Sequence, residues 1–241
     1  MKLSEEMKNK TLLSFELFPP KTEKGLQNLP GTIDHLMKYN PSYISCTYGA
    51  GGGNVGANRE VCQMIKNAGT TPVTHFTVIK NTKEGIKEQL DQYLADGVDH
   101  MLALRGDIPL GETTTCGDFD YATDLVKFVR DTYGDKFEIA VAGSPEGHIS
   151  CRSLESDIAV LKQKQDNGAD YIMTQLCWDM EQFKYWLDAI RKAGITMPVD
   201  VGVMPILDQA ATINMALSRN GCVMDRELSR MISRHWLFPN P

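Results

Sequence analysis

The sequence has no run of about 18 consecutive apolar residues, the length that a membrane-spanning helix needs. Its start, MKLSEEMKNK, lacks the apolar stretch of a secretory signal. It has no basic excess either: 25 Lys and Arg stand against 31 Asp and Glu, a formal charge of −6. A nucleic-acid partner, which calls for a basic surface, is therefore not expected. None of the six cysteines (Cys46, Cys62, Cys116, Cys151, Cys177, Cys222) forms a CxxC pair, and no HExxH or similar spacing occurs. Metal-centre chemistry has no support in that pattern, so no metal site is expected. Scattered cysteines without a leader read as reduced, mostly core-filling thiols of a cytoplasmic protein. No low-complexity segment or linker divides the chain, so residues 1–241 read as a single catalytic domain.

What is present is an alternation. Short β-rich runs (Leu12 to Phe18, Tyr43 to Thr47, Pro72 to Val78, His100 to Leu104, Phe137 to Ala142, Tyr171 to Thr174, Pro198 to Val203) alternate with longer helical stretches. The helices are expected within Gly25 to Tyr39, around Asn58 to Asn67, and over Lys83 to Ala95, Ala122 to Tyr133, Glu155 to Asn167 and Met180 to Ala193. Several stop on a glycine before the next strand: Gly69, Gly97, Gly168 and Gly194. Such a glycine adopts the left-handed backbone that ends a helix. Seven β-then-α units imply an α/β fold with a parallel sheet wrapped by helices. A doubly wound sheet and a (β/α)8 TIM barrel both fit, and the length, near the ~250 residues usual for the barrel, leans toward the latter. Only 38 residues follow Val203, and Asn220 to Pro241 reads as a turn, a basic helix and a Pro-ended tail. Either the barrel lacks its last β/α unit in this chain or the eighth strand has an atypical sequence.

Barrel chemistry sits at the C-terminal ends of the strands. Those ends carry Glu16, Thr47, His75, Arg105 and Asp107, Ser144 to His148, and Gln175. Glu16 lies between Phe15 and Leu17, where desolvation would raise its pKa and make it a general acid; a barrel-lining Glu held by Arg or Lys is the alternative. Arg105-Gly106-Asp107 offers a guanidinium fork beside a backbone open to close approach, or simply a strand-end salt bridge and turn. Gly51-x-Gly53-x-x-Gly56 satisfies the dinucleotide fingerprint formally, but Thr70 to Lys80 contains no acid to support it. The glycines read as a close-approach loop over a ligand, or as a plain loop. His75 and His148 could orient a ligand or be satisfied core groups. Gln175, just before Leu176-Cys177-Trp178, suits a flat heterocycle, or is an ordinary core amide.

Ser14-Phe-Glu-Leu-Phe-Pro-Pro-Lys-Thr resembles the methylenetetrahydrofolate reductase family, as do Ser45-Cys-Thr-Tyr-Gly-Ala-Gly-Gly, Ala103-Leu-Arg-Gly-Asp-Ile-Pro, Val141-Ala-Gly-Ser-Pro-Glu-Gly-His and Met173-Thr-Gln. The resemblance runs over about residues 11–206. It implies a (β/α)8 barrel that binds FAD and reduces 5,10-methylenetetrahydrofolate to 5-methyltetrahydrofolate, a step toward methionine. NADH, NADPH or another electron carrier would reload the flavin, donor and folate using it in turn. The resemblance casts Glu16 as the acid that protonates the folate, so that its five-membered ring opens to an iminium. Asp107 would lie by the flavin and the pterin, and Gln175 would hold the pterin. Thr47, His75, Arg105, Gly106, Asp107, Tyr121, Ala122, Ala142, His148, Asp157 and Lys164 fall at flavin-contact positions.

The sequence also departs from the family. Ser144 stands where some relatives carry tyrosine, and Val160 and Gln163 replace polar or basic contacts. The eighth strand and helix, with a substrate-binding arginine, have no counterpart before Pro241, so the chain reads as truncated. A homo-oligomer or an electron-donating partner protein is the corresponding expectation for partners. Two other functions compete with this one: a flavin-carrying electron-transfer subunit that needs a partner, and a phosphate-binding barrel lyase or aldolase, which the core strands disfavour because they carry no strand-end lysine. The latter would need a strand-end lysine or a metal.

Overall fold

The computed structural model describes residues 2–48, 55–108, 111–217, 224 and 226–237. They form two compact units, Met1–Val141 with Asp166–Tyr171, and Ala142–Gln165 with Ile172–Pro241. The strands are β1 (Ser14–Leu17), β2 (Tyr43–Cys46), β3 (Thr71–Thr77), β4 (His100–Leu104), β5 (Glu138–Gly143), β6 (Tyr171–Thr174) and β7 (Val199–Asp200). Their order in the sheet is their order in the chain. A doubly wound sheet reverses direction at a switch point; here there is none. The topology is that of a (β/α)8 barrel with seven strands among the described residues, which settles the choice that spacing alone leaves open.

In the first unit, α1 (Leu3–Met7), α2 (Glu23–Met37), α3 (Val55–Asn67), α4 (Lys83–Ala95) and α5 (Ala122–Tyr133) accompany β1 to β4. Each strand pairs in parallel with the next. Tyr43, Ile44, Val73, Phe76, Met101, Ala103, Ile139 and Val141 are buried, because parallel strands are covered on both faces. Thr22 and Thr82 start α2 and α4, each hydroxyl accepting from a backbone N–H three residues on, at 3.1 Å. Lys83–Ala95 and Ala122–Tyr133 agree with the helices expected about there, whereas β1 is shorter than Leu12 to Phe18.

The N-terminal helix α1 is not apparent in the charged opening sequence. It is anchored by a partner over 130 residues away: the Leu3 and Ser4 N–H groups donate to the Glu138 carboxylate at 2.7 and 2.8 Å. His100 Nε2 lies 3.0 Å from the same carboxylate, and His100 Nδ1 2.6 Å from Asp99. Burial alone would raise Glu138, but the imidazole and the two N–H groups outweigh it and hold its pKa at about 2. Burial would lower His100, but Asp99 and Glu138 outweigh it and hold it at about 9. Nearby, Arg130 pairs with Asp170 and donates to the carbonyls of Gly168 and Phe137.

In the second unit, α6 (Leu154–Asp166, but for its last residue), α7 (Met180–Lys192), α8 (Gln209–Leu217) and α9 (Arg226–Leu237) accompany β6 and β7. Trp186, Ile172, Ile190 and Ile195 are its most deeply buried apolar side chains. Asp179 caps α7 through the N–H groups of Glu181 and Gln182. β7 stops at Asp200 rather than Val203. Gly202 N–H instead donates to Thr174 Oγ1 at 2.9 Å, and a side chain at Gly202 would strike the Thr174 carbonyl. The backbone therefore crosses tightly there, off the ladder. No helix among the described residues is long and apolar enough to cross a membrane.

Candidate functional site

In the first unit the strand ends bring Glu16, Thr47, His75 and Arg105-Gly106-Asp107 to one edge of the sheet. Register places Glu16 beside Ser45, and the two-residue period puts Ser45, His75 and Thr77 on one face. Glu16 Oε2 lies 3.5 Å from His75 Nε2. The imidazole is 6% exposed, and burial pushes its pKa down to about 4, so it is neutral.

Glu16 differs from the expectation of a fully desolvated carboxyl: its side chain is 45% exposed. β1 is the first strand in the sheet order, with a neighbour on one side only among the described residues, and this leaves Glu16 more open than the buried Ser45 beside it. The protein crowding its other sides still pushes the carboxyl up. The titratable group facing it among the described residues is this neutral histidine, not the Arg or Lys of the alternative reading. Ser45 Oγ, His75 Nε2 and Thr77 Oγ1 are buried and reach no hydrogen-bond partner among the described residues. Buried polar groups are seldom left so; three on one face mark a place built for polar company.

Thr47 is half-buried and continues the ladder, its N–H donating to Leu17 O at 2.9 Å. Arg105 Nε donates to Gly106 O at 3.4 Å. Asp107 is exposed. Gly106 sits at φ +84°, and a Cβ there would come within 2.6 Å of Ile79 and 3.1 Å of Thr77. Packing against the protein's own side chains is thus already enough to require glycine. Tyr121 and Ala122 open α5, where Asp124 accepts from Tyr121 N–H at 3.0 Å. Most of the glycine motif, residues 49–54, lies outside the described residues, as do Cys222 and the Ser218 to Cys222 segment.

In the second unit, Lys164 Nζ donates to the Ala142 carbonyl at 2.9 Å. Burial lowers the lysine's pKa, and the Asp157 charge works against that drop. His148 N–H donates to Asp157 Oδ2 at 3.2 Å, and Cys151 Sγ lies 3.6 Å from Asp157 Oδ1. Ala142, His148, Asp157 and Lys164, far apart in sequence, are therefore one cluster. An ammonium has three N–H donors, so a single carbonyl leaves capacity for an anion. Gln175 Oε1 accepts from Leu176 N–H, and Gln175 N–H donates to Gly143 O, both at 2.8 Å.

Sequence reasoning overlooked Asn58, Ser45 and Thr77. Asn58 is fully buried and hydrogen-bonded to the carbonyls of Cys46 and Thr47. Its one sequence signal is its spacing, three and four residues before the buried Val61 and Cys62 on the same helix face.

Comparison with known proteins accords with these blocks. Residues 2–228 match the family described as methylenetetrahydrofolate reductase. The chain is 38% identical over 219 residues to methylenetetrahydrofolate reductase (NADH) 1 of Arabidopsis thaliana, covering 86% of this chain and 37% of that protein. It is 34% identical over 202 residues to 5,10-methylenetetrahydrofolate reductase of Escherichia coli, covering 83% of this chain and 67% of that one. Among solved structures, a Clostridium thermocellum protein that binds two copies of 5-methyl-5,6,7,8-tetrahydrofolic acid aligns with TM-score 0.66 and 13% identity, over 96% of this chain and 79% of that one. A 2,3-dimethylmalate lyase aligns with TM-score 0.58 and 12% identity, over 96% and 91%. At those identities the solved structures speak to the fold alone. The sequence matches speak to descent: the chain belongs to the methylenetetrahydrofolate reductase family.

Proposed function

We propose that this chain reduces 5,10-methylenetetrahydrofolate to 5-methyltetrahydrofolate, with FAD as its resident carrier and NADH or NADPH as the electron donor. The observation that carries the reading is the half-exposed Glu16 carboxyl facing a neutral, buried His75 across 3.5 Å. An acid that is to protonate a substrate nitrogen must reach it and must hold its proton near neutral pH. Exposure supplies the first condition, and the burial that raises its pKa supports the second. The relatives' names favour the same substrate class.

Each unit, taken by itself, offers groups that suit part of a flavin. The unpaired His75 Nε2, Ser45 Oγ and Thr77 Oγ1 could meet the polar edge of a ring system. Lys164 has donors to spare for a phosphate, with Ala142, His148 and Asp157 beside it. Thr47, Arg105, Gly106, Tyr121 and Ala122, all in the first unit, are the other flavin contacts that the family resemblance implies. When bound, reduced flavin supplies hydride for the methylene carbon. The chain's own residues would do the rest: Glu16 delivers a proton to the folate, and the family resemblance assigns Asp107 of the first unit and Gln175 of the second to pterin binding. The product would serve methionine supply in the cytoplasm. A homo-oligomer or an electron-donating partner protein fits the same reading.

The test is the visible spectrum of the purified chain supplemented with FAD, followed by anaerobic bleaching with NADH or NADPH and reoxidation by the folate. Uptake of flavin, bleaching and recovery are expected. A protein that takes up no flavin would overturn the proposal. Flavin uptake without folate-driven recovery would point instead to an electron-transfer subunit.

A further inference from the structure

We infer that Asn58 is a positioning residue: from behind the sheet it fixes the turn at the end of β2 and thereby the placement of Thr47. The inference rests on the proposed flavin for what Thr47 touches, but its geometry stands independently. Asn58 lies on α3 and is fully buried. Its Nδ2 donates to the carbonyls of Cys46 and Thr47 at 2.9 and 3.0 Å. Its Oδ1 accepts from Thr74 Oγ1 at 2.8 Å, Tyr93 OH at 2.7 Å and, weakly, Cys62 Sγ at 3.6 Å. Both amide hydrogens and both lone pairs are in use.

The amide has only one workable orientation. Carbonyls only accept, so a flipped amide would press Oδ1 against two carbonyl oxygens. Successive carbonyls in a strand point to opposite sides. For both to reach one nitrogen, the chain must turn at Thr47, and Asn58 grips it where it leaves the sheet. Thr47 N–H is bonded to Leu17 O, so its backbone is held on both sides and the direction of its Cα–Cβ bond is fixed. Thr74 precedes His75 and points to the opposite face. The same amide thus ties the strand carrying His75, and Tyr93 adds α4. Packing alone does not call for a polar residue here, since Val61 and Ile65 fill the same helix with apolar side chains.

A double-mutant cycle on flavin affinity tests this. FAD is titrated into the apoprotein of the wild type, Asn58→Leu, Thr47→Val and the double variant, read by quenching of flavin fluorescence, with the thermal midpoint of each recorded. If Asn58 acts through Thr47, Asn58→Leu alone raises the FAD Kd at least tenfold. In the Thr47→Val background it adds less than threefold, while lowering the thermal midpoint equally in both. Additive effects on Kd, or an unchanged Kd in Asn58→Leu, would overturn the role and leave the flavin reading intact. A wild type that binds no FAD would overturn both. If Asn58→Leu does not fold, Asn58→Ser, which keeps one donor for the two carbonyls, takes its place in the cycle. Its first step is then at least threefold, and additive effects or an unchanged Kd would again overturn the role.

Discussion

Glu16 and His75 meet at 3.5 Å with their proton affinities pushed in opposite directions, the carboxyl upward and the imidazole downward. Each shift favours the neutral form. The pair is therefore not a salt bridge at neutral pH but a carboxyl group backed by an uncharged ring that does not draw its proton away as a cation's field would. A lysine or arginine in place of His75 would hold Glu16 ionised and useless as an acid.

Glu16→Gln separates the two halves of the proposed cycle. The amide keeps the side chain's size and polarity but has no acidic proton. Reduction of the bound flavin by pyridine nucleotide is expected to stay within about twofold, while its reoxidation by methylenetetrahydrofolate slows by ~10²–10⁴-fold, the usual weight of a general acid. Stopped-flow absorbance measures both steps, and equal losses in both would remove Glu16 from the acid's role.

His75 makes the fold acid-sensitive. Its folded pKa is about 4 against an ordinary 6.5. As pH falls from 6.5 toward 4, the unfolded chain takes up a proton that the folded chain refuses, and stability drops. The full difference corresponds to roughly 3 kcal/mol. Urea denaturation between pH 7 and 4 should show this slope, and His75→Gln should flatten it. The comparison is between slopes, because the substitution also shifts absolute stability.

Much of the fold was legible because its causes are local. Gly69, Gly97, Gly168 and Gly194 all have positive φ, as their places after helices require. Lys83–Ala95 and Ala122–Tyr133 are bounded by their own capping residues and apolar periodicity. The strand ends likewise exposed Glu16 and His75, because a polar residue in an apolar run stands out. What was not legible depends on distant partners. Five-residue α1 exists through Glu138, and β7 ends early through Thr174. Asn58 looks like any helical asparagine until the carbonyls of Cys46 and Thr47 are seen around it. α8 follows Asp208, whose carbonyl accepts from the Thr212 hydroxyl at 2.7 Å. An acidic residue before a good helical stretch is a start signal that could have been read.

The α1 anchor weakens in alkali. His100 has a folded pKa of about 9 against 6.5. Its contribution is complete below 6.5, where both states are protonated, and is lost as pH rises from 6.5 through 9. Roughly 3 kcal/mol is at stake, shared with Glu138 and counted once. Denaturation at pH 6 and 10 should differ by about that amount, and His100→Gln should remove most of the difference. Glu138→Gln should do the same and also speed amide exchange at Leu3 and Ser4. An unchanged pH dependence in both variants would mean that the buried carboxylate is held by the helix N–H groups alone.

Gly106→Ala tests how tightly the Arg105-Gly106-Asp107 turn is built. At φ +84° any side chain carries strain of about 1 kcal/mol. At Gly106 the new methyl would also meet Ile79 Cγ1 at 2.6 Å and Thr77 Cβ at 3.1 Å. Overpacking of that kind adds about 1–3 kcal/mol. Gly69→Ala is the control: φ is +94°, but nothing lies within 4 Å of the added Cβ. The expected result is a modest fall in the thermal midpoint for Gly69→Ala and a fall at least twice as large for Gly106→Ala. Since Thr77 carries one of the unpaired hydroxyls and must move aside, Gly106→Ala should weaken FAD binding as well, while Gly69→Ala leaves it unchanged. Equal falls for the two variants would mean that Ile79 and Thr77 yield freely, and that only backbone conformation demands a glycine between Arg105 and Asp107.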